Sequence, residues 1–181
     1  MALREIVRYP DPRLRQPTRA VTEFDDELAS FVADMVETMY AANGAGLAAI
    51  QVGDPRRVFI VEGHAAGGAE DAPPVVFINP VIEWLSDETE TEEEGCLSFP
   101  TIYLPIKRSL AARVRAFDER GQEFVASGEG LYARAMQHEH DHLENRLLVD
   151  WVGPLKRNLI KRKLERLTDE ELEEARAVGD R

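Results

Sequence analysis

The stretch 137–143 constrains this chain more than any other, because it contains the pattern H-E-x-x-H. On an α-helix each residue advances by roughly 100°, so His138 and His142 lie about 40° apart on one face and can bind one cation. Glu139 lies beside them, where a carboxylate that is not a ligand can take a proton from metal-bound water. His140 points about 200° away from His138 and is excluded from the site. The pattern predicts a metal-activated hydrolase.

Residues upstream of the histidines favour a buried helix over a solvated, histidine-rich surface. Leu131 and Ala135 continue an i, i+4, i+7, i+11 stripe with His138 and His142, so we expect all four side chains to point inward. Buried imidazoles need partners, and a metal ion supplies one. Arg134 interrupts this stripe. A position at the mouth of the pocket is one interpretation, but we favour a surface position with its charged end in water.

A catalytic metal site of this kind usually has three protein ligands and one open position, so a third ligand is needed. Cys96, the single cysteine, follows Gly95 in a segment with turn character and would complete a Cys/His/His set. A Cys/His nucleophile pair and an inert core cysteine are the alternatives. Glu165 would be a downstream carboxylate ligand, but its Lys/Arg-rich surroundings favour a surface charge. The extended metzincin pattern is absent, since Asn145 and Leu148 stand where it needs Gly and His.

Two further motifs accompany the histidine helix, and all three occur in a set order and spacing. They are G-A-G-L-A-A-I-Q at 44–51, E-G-C-L-S at 94–98 and Q-H-E-H-D-H at 137–142. Together they resemble the motifs of the peptide deformylase family. The resemblance extends to Y-P-D-P-R-L-R at 9–15, I-N-P at 78–80 and P-L-K at 154–156, so it covers nearly the whole chain.

The resemblance implies an enzyme that removes the N-formyl group from the initiator methionine of nascent bacterial polypeptides and releases formate. Carried over position by position, it implies that Cys96, His138 and His142 bind the metal and that Glu139 acts first as base and then as acid. Thiolate and imidazole ligands suit Zn, Fe, Co or Ni. The family favours Fe(II), with Zn(II) as a common substitute and Ni(II) or Co(II) as further alternatives.

The resemblance also implies roles for residues outside the histidine helix. The side-chain amide of Gln51 and the backbone N–H of Leu97 would hold the oxyanion that develops on the formyl group. Gly46 and Glu94 would contact the N-formylmethionyl peptide, with Glu94 beside the substrate channel. Without the resemblance, the glycines at 44 and 46 would indicate only a turn that ends a helix.

Two other classes of protein remain open on the residues alone. A small metallopeptidase would share Glu139 and the histidine pair, but it gives no specific use to Cys96 or Gln51. A non-catalytic ribosome-associated protein would keep the cation for structure, and such a site normally has a fourth protein ligand. Release of formate distinguishes both classes from a deformylase.

The length of 181 residues and a hydrophobic fraction of 44% fit one domain over 1–181, with a helical extension from about 154. Short β-favouring runs occupy 58–61, 75–78, 111–117 and 123–126, and a turn at 118–121 joins the last two as a hairpin. An amphipathic helix covers 28–39, with capping groups at Thr22 and Asp25. We therefore predict an α+β fold, with mainly antiparallel strands around the metal-binding helix and a C-terminal helix.

The net charge of −12 argues against general binding of DNA or other nucleic acids. The acidic run 87–94 indicates a solvated face, whereas 155–167 forms a basic amphipathic helix. The family implies that this helix docks on the ribosome near the exit tunnel, and the acidic residues that follow at 169–174 would repel an anionic membrane. The absence of a long apolar run or a signal-peptide core, together with the lone cysteine, predicts a cytoplasmic protein. We also expect a monomer.

Overall fold

Five antiparallel strands form the main sheet of the protein. The structure is a computed structural model that describes residues 2–178. In spatial order, the strands of this sheet are β1 (Gly46–Ala48), β2 (Val58–Val61), β3 (Val75–Leu85), β6 (Ala111–Phe117) and β7 (Glu123–Glu129). Each of the four β-favouring runs lies in one of them, and the turn at 118–121 joins β6 to β7 as predicted.

Strand β3 is longer than the sequence indicates, because it continues past I-N-P at 78–80. Asn79 has a φ of 51°, and the register shifts between Ile78 and Val81. Such a bulge lets a strand absorb a residue in the left-handed region and carry on. The side chain of Asn79 bonds to both backbone groups of Val21, at 2.8 and 2.9 Å, which ties the N-terminal segment to the sheet.

A second sheet of two strands, β4 (Thr89–Glu94) and β5 (Leu104–Ser109), leads directly into the cysteine motif. The acidic run is therefore a paired strand, although its first five residues are exposed as predicted. Pairing opposes Thr91 to Lys107 and Glu90 to Arg108, and Arg108 of β5 forms an ion pair with Glu94 of β4 at 2.8 Å. Glu94, at the end of β4, is buried.

Helix α1 (Asp26–Ala41) covers one face of the main sheet, as its pattern predicts. It begins after Asp25, whose side chain accepts a hydrogen bond from the Leu28 N–H at 2.9 Å, the usual N-cap arrangement. Phe31, Met35 and Met39 are fully buried in a core shared with β1 and β2. This core holds the start of β1, and therefore the glycine motif, in place.

Helix α2 (Gly130–Leu143) carries the histidines and packs against the main sheet. Ala133, Met136 and Leu143 belong to its apolar core, while His138 is buried on another side of the helix. The expected inward position of Leu131 is wrong, since 59% of this residue is exposed. Leu131 shares the histidine face by helical angle, but it belongs to the first turn, where that face is open to solvent.

Two helices follow the histidine helix α2 along the chain, α3 (Pro154–Glu165) and α4 (Asp169–Val178). Ile160 and Leu164 anchor α3 in a core with residues of the cysteine segment, while Leu155 and Leu159 are exposed. Between residues 2 and 178, no helix is both long and apolar enough to cross a membrane. The predicted single-domain α+β fold with antiparallel strands and helices is confirmed.

Candidate metal centre

A buried cluster of three side chains lies where α2 meets the segment after β4. Cys96, His138 and His142 each offer one ligand atom, and these atoms all lie within 4.8 Å of one another. Cys96 Sγ is 3.4 Å from His142 Nε2, and the two imidazole ring centres are 5.1 Å apart. One turn of α2 supplies both imidazoles, and the turn after β4 supplies the sulfur.

The chemistry of this donor set fits a divalent cation. Burial raises the pKa of the Cys96 thiol, against the effect of the nearby His138, so a thiolate here needs a positive partner. Burial alone would lower the pKa of His138, but hydrogen bonds to Cys96 and Glu94 raise it well above its ordinary value. The site therefore attracts positive charge. Burial and repulsion from His138 lower the pKa of His142, which leaves it neutral, the form that binds metals.

The carboxylate of Glu94 fixes the orientation of His138. His138 Nδ1–H donates to Glu94 Oε1 at 2.7 Å, which leaves the other ring nitrogen for the cluster. Arg108 donates to both oxygens of Glu94, at 2.8 and 2.9 Å, and Arg134 donates to Oε2 at 2.6 Å. Burial would raise the pKa of Glu94, but these partners together lower it. An ionised carboxylate behind a ligating histidine sets its tautomer and increases its basicity.

Arg134 is not the surface residue that the sequence indicates. Its side chain is 11% exposed, and it also donates to the backbone oxygens of Ile106 and Glu90, at 2.9 Å each. A buried carboxylate requires positive partners, and Arg134 is one of them. Its position on an otherwise buried helical face is the sequence signal that could have indicated a buried ion pair.

Arg108 is a second member of this network that sequence reasoning missed. Its Nη1 donates to Asp141 at 2.6 Å, so it connects the end of β4 to the histidine helix. Its guanidinium also lies 5.0 Å from the ring centre of Trp151, a cation–π contact. Alternation along β5 places Arg108 on the buried side with Leu104 and Ile106. An arginine at an inward position of a strand is the signal that was available.

Glu139 is 3% exposed and lies against β1. A Cβ atom built on Gly46 would be 2.7 Å from Glu139 Oε1, closer than side chains approach one another. Gly46 is therefore required at this position so that β1 can pass close to the carboxylate. The arrangement places Glu139 between the edge strand and the cluster.

Gln51 lies in a 3₁₀ turn after β1, with its side chain fully buried. Its Oε1 accepts from the Ala48 N–H at 2.9 Å, so its Nε2 is the end that faces the cysteine segment. Nε2 donates to Ser98 Oγ at 3.1 Å and is 3.4 Å from Cys96 Sγ. The side chain of Leu97 packs on Gly44, where an added Cβ would be 2.7 Å from Leu97 Cδ1. The glycine motif and the cysteine motif are thus in direct contact.

The structure thus brings together the three motifs that sequence analysis identifies. His140 lies outside the cluster as predicted, with Nε2 3.8 Å from Glu144. Glu165 is exposed at the end of α3, in agreement with its interpretation as a surface charge. The fold and the buried Cys/His/His cluster define a class, the small α+β hydrolases that carry H-E-x-x-H on a central helix.

Comparisons with known proteins identify the family within that class. The family model for polypeptide deformylase matches residues 3–158. A peptide deformylase of Maricaulis maris is 44% identical over 167 residues, which cover 92% of this chain and 95% of that protein. The crystal structure of a peptide deformylase from Legionella pneumophila superposes with a TM-score of 0.84 at 39% identity, covering 91% of this chain and 95% of that one. That of Ehrlichia chaffeensis peptide deformylase in complex with actinonin gives 0.85 at 34% identity, covering 92% and 98%.

The chain belongs to the polypeptide deformylase family. Membership of this family, which the three motifs predict, is confirmed. Members of this family are metal-dependent hydrolases that remove N-formyl groups from nascent peptides, and the Cys/His/His cluster is a group that could hold the metal.

Proposed function

We propose that this protein hydrolyses the N-formyl group of N-terminal formylmethionine on nascent polypeptides, with a divalent cation held by Cys96, His138 and His142. The observation that carries the proposal is the position of Glu139, buried beside this cluster with space kept for it by Gly46. Beside a cation with only a structural role, a buried carboxylate that is not a ligand would have no function. A donor set of one sulfur and two imidazoles suits Fe, Zn, Ni or Co alike. Following the family preference, we propose Fe(II) as the native ion, with Zn(II), Ni(II) or Co(II) as substitutes.

The chemistry needs a strong nucleophile, because a formamide is a poor electrophile. When bound, the cation would supply Lewis acidity, which strongly lowers the pKa of water, toward roughly 7. Glu139 takes the proton of the attacking water and then delivers it to the departing amine nitrogen. General acid–base catalysis of this kind is typically worth about 10² to 10⁴ in rate. Burial of Glu139 shields these proton transfers from bulk solvent.

Charge that develops on the formyl oxygen needs fixed hydrogen-bond donors. The bond from Ala48 N–H to Gln51 Oε1 determines which end of the amide faces the site, so we propose that Gln51 Nε2 donates to the oxyanion. The backbone N–H of Leu97 is the second donor. Loss of one donor of this kind typically costs about 10² to 10³ in rate.

The contacts of Glu94 favour a positioning role over the substrate contact that the sequence suggests. Its two oxygens are already occupied by His138, Arg108 and Arg134. We propose that Glu94 acts through His138, whose second nitrogen it directs to the cation. Gly46 keeps its proposed place at the substrate, because it lies on the edge strand next to Glu139.

Formate release from a formyl-Met-Ala-Ser peptide tests the proposal. The protein is purified anaerobically and loaded with iron, and a Glu139→Ala variant is assayed in parallel. We expect formate from the wild-type protein and a loss of about 10² to 10⁴ in rate for the variant. His140→Leu is a matched control on the same helix, outside the cluster, and should retain activity. Peptide-bond cleavage without formate would instead identify a peptidase and overturn the proposal.

A further inference from the structure

Helix α4 lies beyond residues 3–158, the part of the chain that matches the family model, yet it is attached to the candidate active site. Asn43 Nδ2 donates to the backbone oxygen of Arg176 at 2.7 Å and is 3.5 Å from that of Ala177. Asn43 has a φ of 54°, in the left-handed region that asparagine tolerates. Since Asn43 immediately precedes Gly44, the last turn of α4 is bonded to the start of the glycine motif.

A cavity of about 170 Å³ separates α4 from the cysteine motif. Leu172, Ala175 and Arg176 form its α4 side, and the segment 95–97 lies on its other side. At about 30 Å³ per water molecule, the volume equals roughly five or six waters. This space suits one amino-acid side chain, and it is smaller than the roughly 300 Å³ at which pockets for larger ligands begin.

The cavity continues from the proposed reaction site, because Leu97 belongs to both. The backbone N–H of Leu97 is the proposed oxyanion donor, and the same residue lines the cavity. An extended peptide advances roughly 3.3–3.6 Å per residue, so the second or third residue of a substrate lies about 7–10 Å from its N-terminus. Because Leu97, Ala42 and Leu172 line the same cavity, a substrate that extends past Leu97 toward Ala42 would bring its second or third residue next to α4.

The walls of the cavity indicate which side chain it takes. Leu172 and Ala175 are half-buried, while the charged residues Glu5, Arg8 and Arg176 are exposed at the rim. A side chain that enters the cavity on its α4 side therefore meets the apolar side chains of Leu172 and Ala175.

We propose that α4 forms one wall of a subsite for the second or third residue of the formylated peptide, and that this subsite selects an uncharged aliphatic side chain. The inference rests on the proposed function, because it names a preference of the same active site. Leu172 and Ala175 are specificity-determining residues in this scheme, and they lie outside the residues that the family model matches.

Filling the cavity tests the proposal. We compare kcat/KM for formyl-Met-Leu-Ala and formyl-Met-Ala-Leu with that for formyl-Met-Ala-Ala, and express each as a ratio, which is independent of the fraction of active protein. The wild-type protein should prefer one leucine peptide by about tenfold. Ala175→Phe should reduce this ratio to about one, whereas Ala177→Phe, on the exposed side of the same helix, should preserve it.

Widening the cavity gives a second, independent variant. Leu172→Ala should lower the ratio by about three- to fourfold, the effect of burying roughly one methylene group less. Dissociation constants measured in a Glu139→Ala background, where peptides bind without turnover, should follow the same order. A wild-type protein with no preference for leucine, or a preference that survives both Ala175→Phe and Leu172→Ala, would overturn the inference. Failure of the proposed function looks different, because no peptide would then release formate.

Discussion

Glu94 gathers two arginines and a histidine around one buried carboxylate, and the geometry of the cluster depends on it. The sequence identifies the residues closest to the chemistry, since His138, Glu139 and His142 are fixed by helical spacing. It does not identify Arg108 and Arg134. These residues are 14 and 40 positions from Glu94, so their convergence depends on the register of β4 with β5 and on the packing of α2. Local spacing carries no information about such contacts.

Arg134→Met should weaken metal binding without removing a ligand. The change leaves Glu94 with Arg108 but without its 2.6 Å partner, so His138 is held less firmly. We expect metal affinity to fall by about 10- to 100-fold and the free energy of unfolding to fall by about 2 kcal/mol. Competition with a chelator measures the affinity, and urea unfolding measures the stability.

Arg113→Met is the matched control for this substitution. Arg113 is half-exposed on β6, 3.7 Å from Glu83, and outside the Glu94 network. Its replacement should leave metal affinity unchanged. Equal affinities for the Arg134→Met and wild-type proteins would show that Arg134 has no part in holding His138.

Among the secondary-structure elements, the strands with apolar side chains could be predicted from the sequence, whereas the charged strands β4 and β5 could not. The runs at 58–61 and 111–117 coincide with β2 and β6, because alternating or continuous apolar side chains are sufficient to indicate burial. Strand β4 consists mainly of glutamates, and β5 contains Pro105, Lys107 and Arg108, so neither resembles a strand by propensity. Each forms because the other supplies opposite charge and an edge to pair with.

Helix α3 carries the proposed contact with the ribosome. Ile160 and Leu164 face the core, whereas Leu155 and Leu159 are exposed among lysines and arginines. We propose that this surface docks near the exit tunnel, and that reversing two charges with Lys161→Glu and Arg162→Glu weakens binding. Sedimentation with purified ribosomes at low and moderate salt measures the effect.

The charge reversal should reduce ribosome binding about tenfold or more at low salt, where unscreened charges act most strongly. Glu173→Lys together with Glu174→Lys on α4 provides a control of equal size that adds positive charge to the acidic helix. If binding follows net charge alone, this control will bind more tightly. Unchanged binding by the α3 variant would remove α3 from the interaction.

For the whole molecule, neither the order of the strands nor the contacts between distant segments could be predicted from the sequence. Arg15 donates to both oxygens of Asp150, at 2.8 and 2.9 Å, and to the backbone oxygen of Asn145. These bonds join residues 130 and 135 positions apart. Composition and periodicity predict that such a chain closes on itself as one domain, but they do not say which residues meet.

The Arg15–Asp150 contact gives a pH dependence of known sign. Burial raises the pKa of Asp150, but donation from Arg15 and from the Leu147 N–H lowers it overall. A carboxylate whose pKa is lower in the folded state stabilises the protein above its unfolded value of about 3.9, and the contribution is lost as pH falls through the folded value. Asp150→Asn should therefore cost about 1 kcal/mol at pH 7, and the difference should begin to shrink below about pH 4 and be lost only below the folded pKa of Asp150.

Urea unfolding of the wild-type and Asp150→Asn proteins between pH 7 and pH 3 measures this difference directly. Other groups that titrate in the same range affect both proteins alike, so they cancel. A difference that does not shrink at all between pH 5 and pH 3 would mean that the carboxylate charge is not what joins the two segments.

The contact between Arg108 and Trp151 has an optical consequence. The indole ring lies 5.0 Å from a guanidinium that also holds Glu94, and Glu94 in turn contacts the proposed cation ligand His138. Indole emission responds to the charges around it, whereas Trp84, the other tryptophan, lies on β3 in contact with Arg113 instead. Replacing Trp84 with phenylalanine would leave Trp151 as an intrinsic fluorophore at the back of the site. Loading and removal of the cation could then be followed in real time without an added dye.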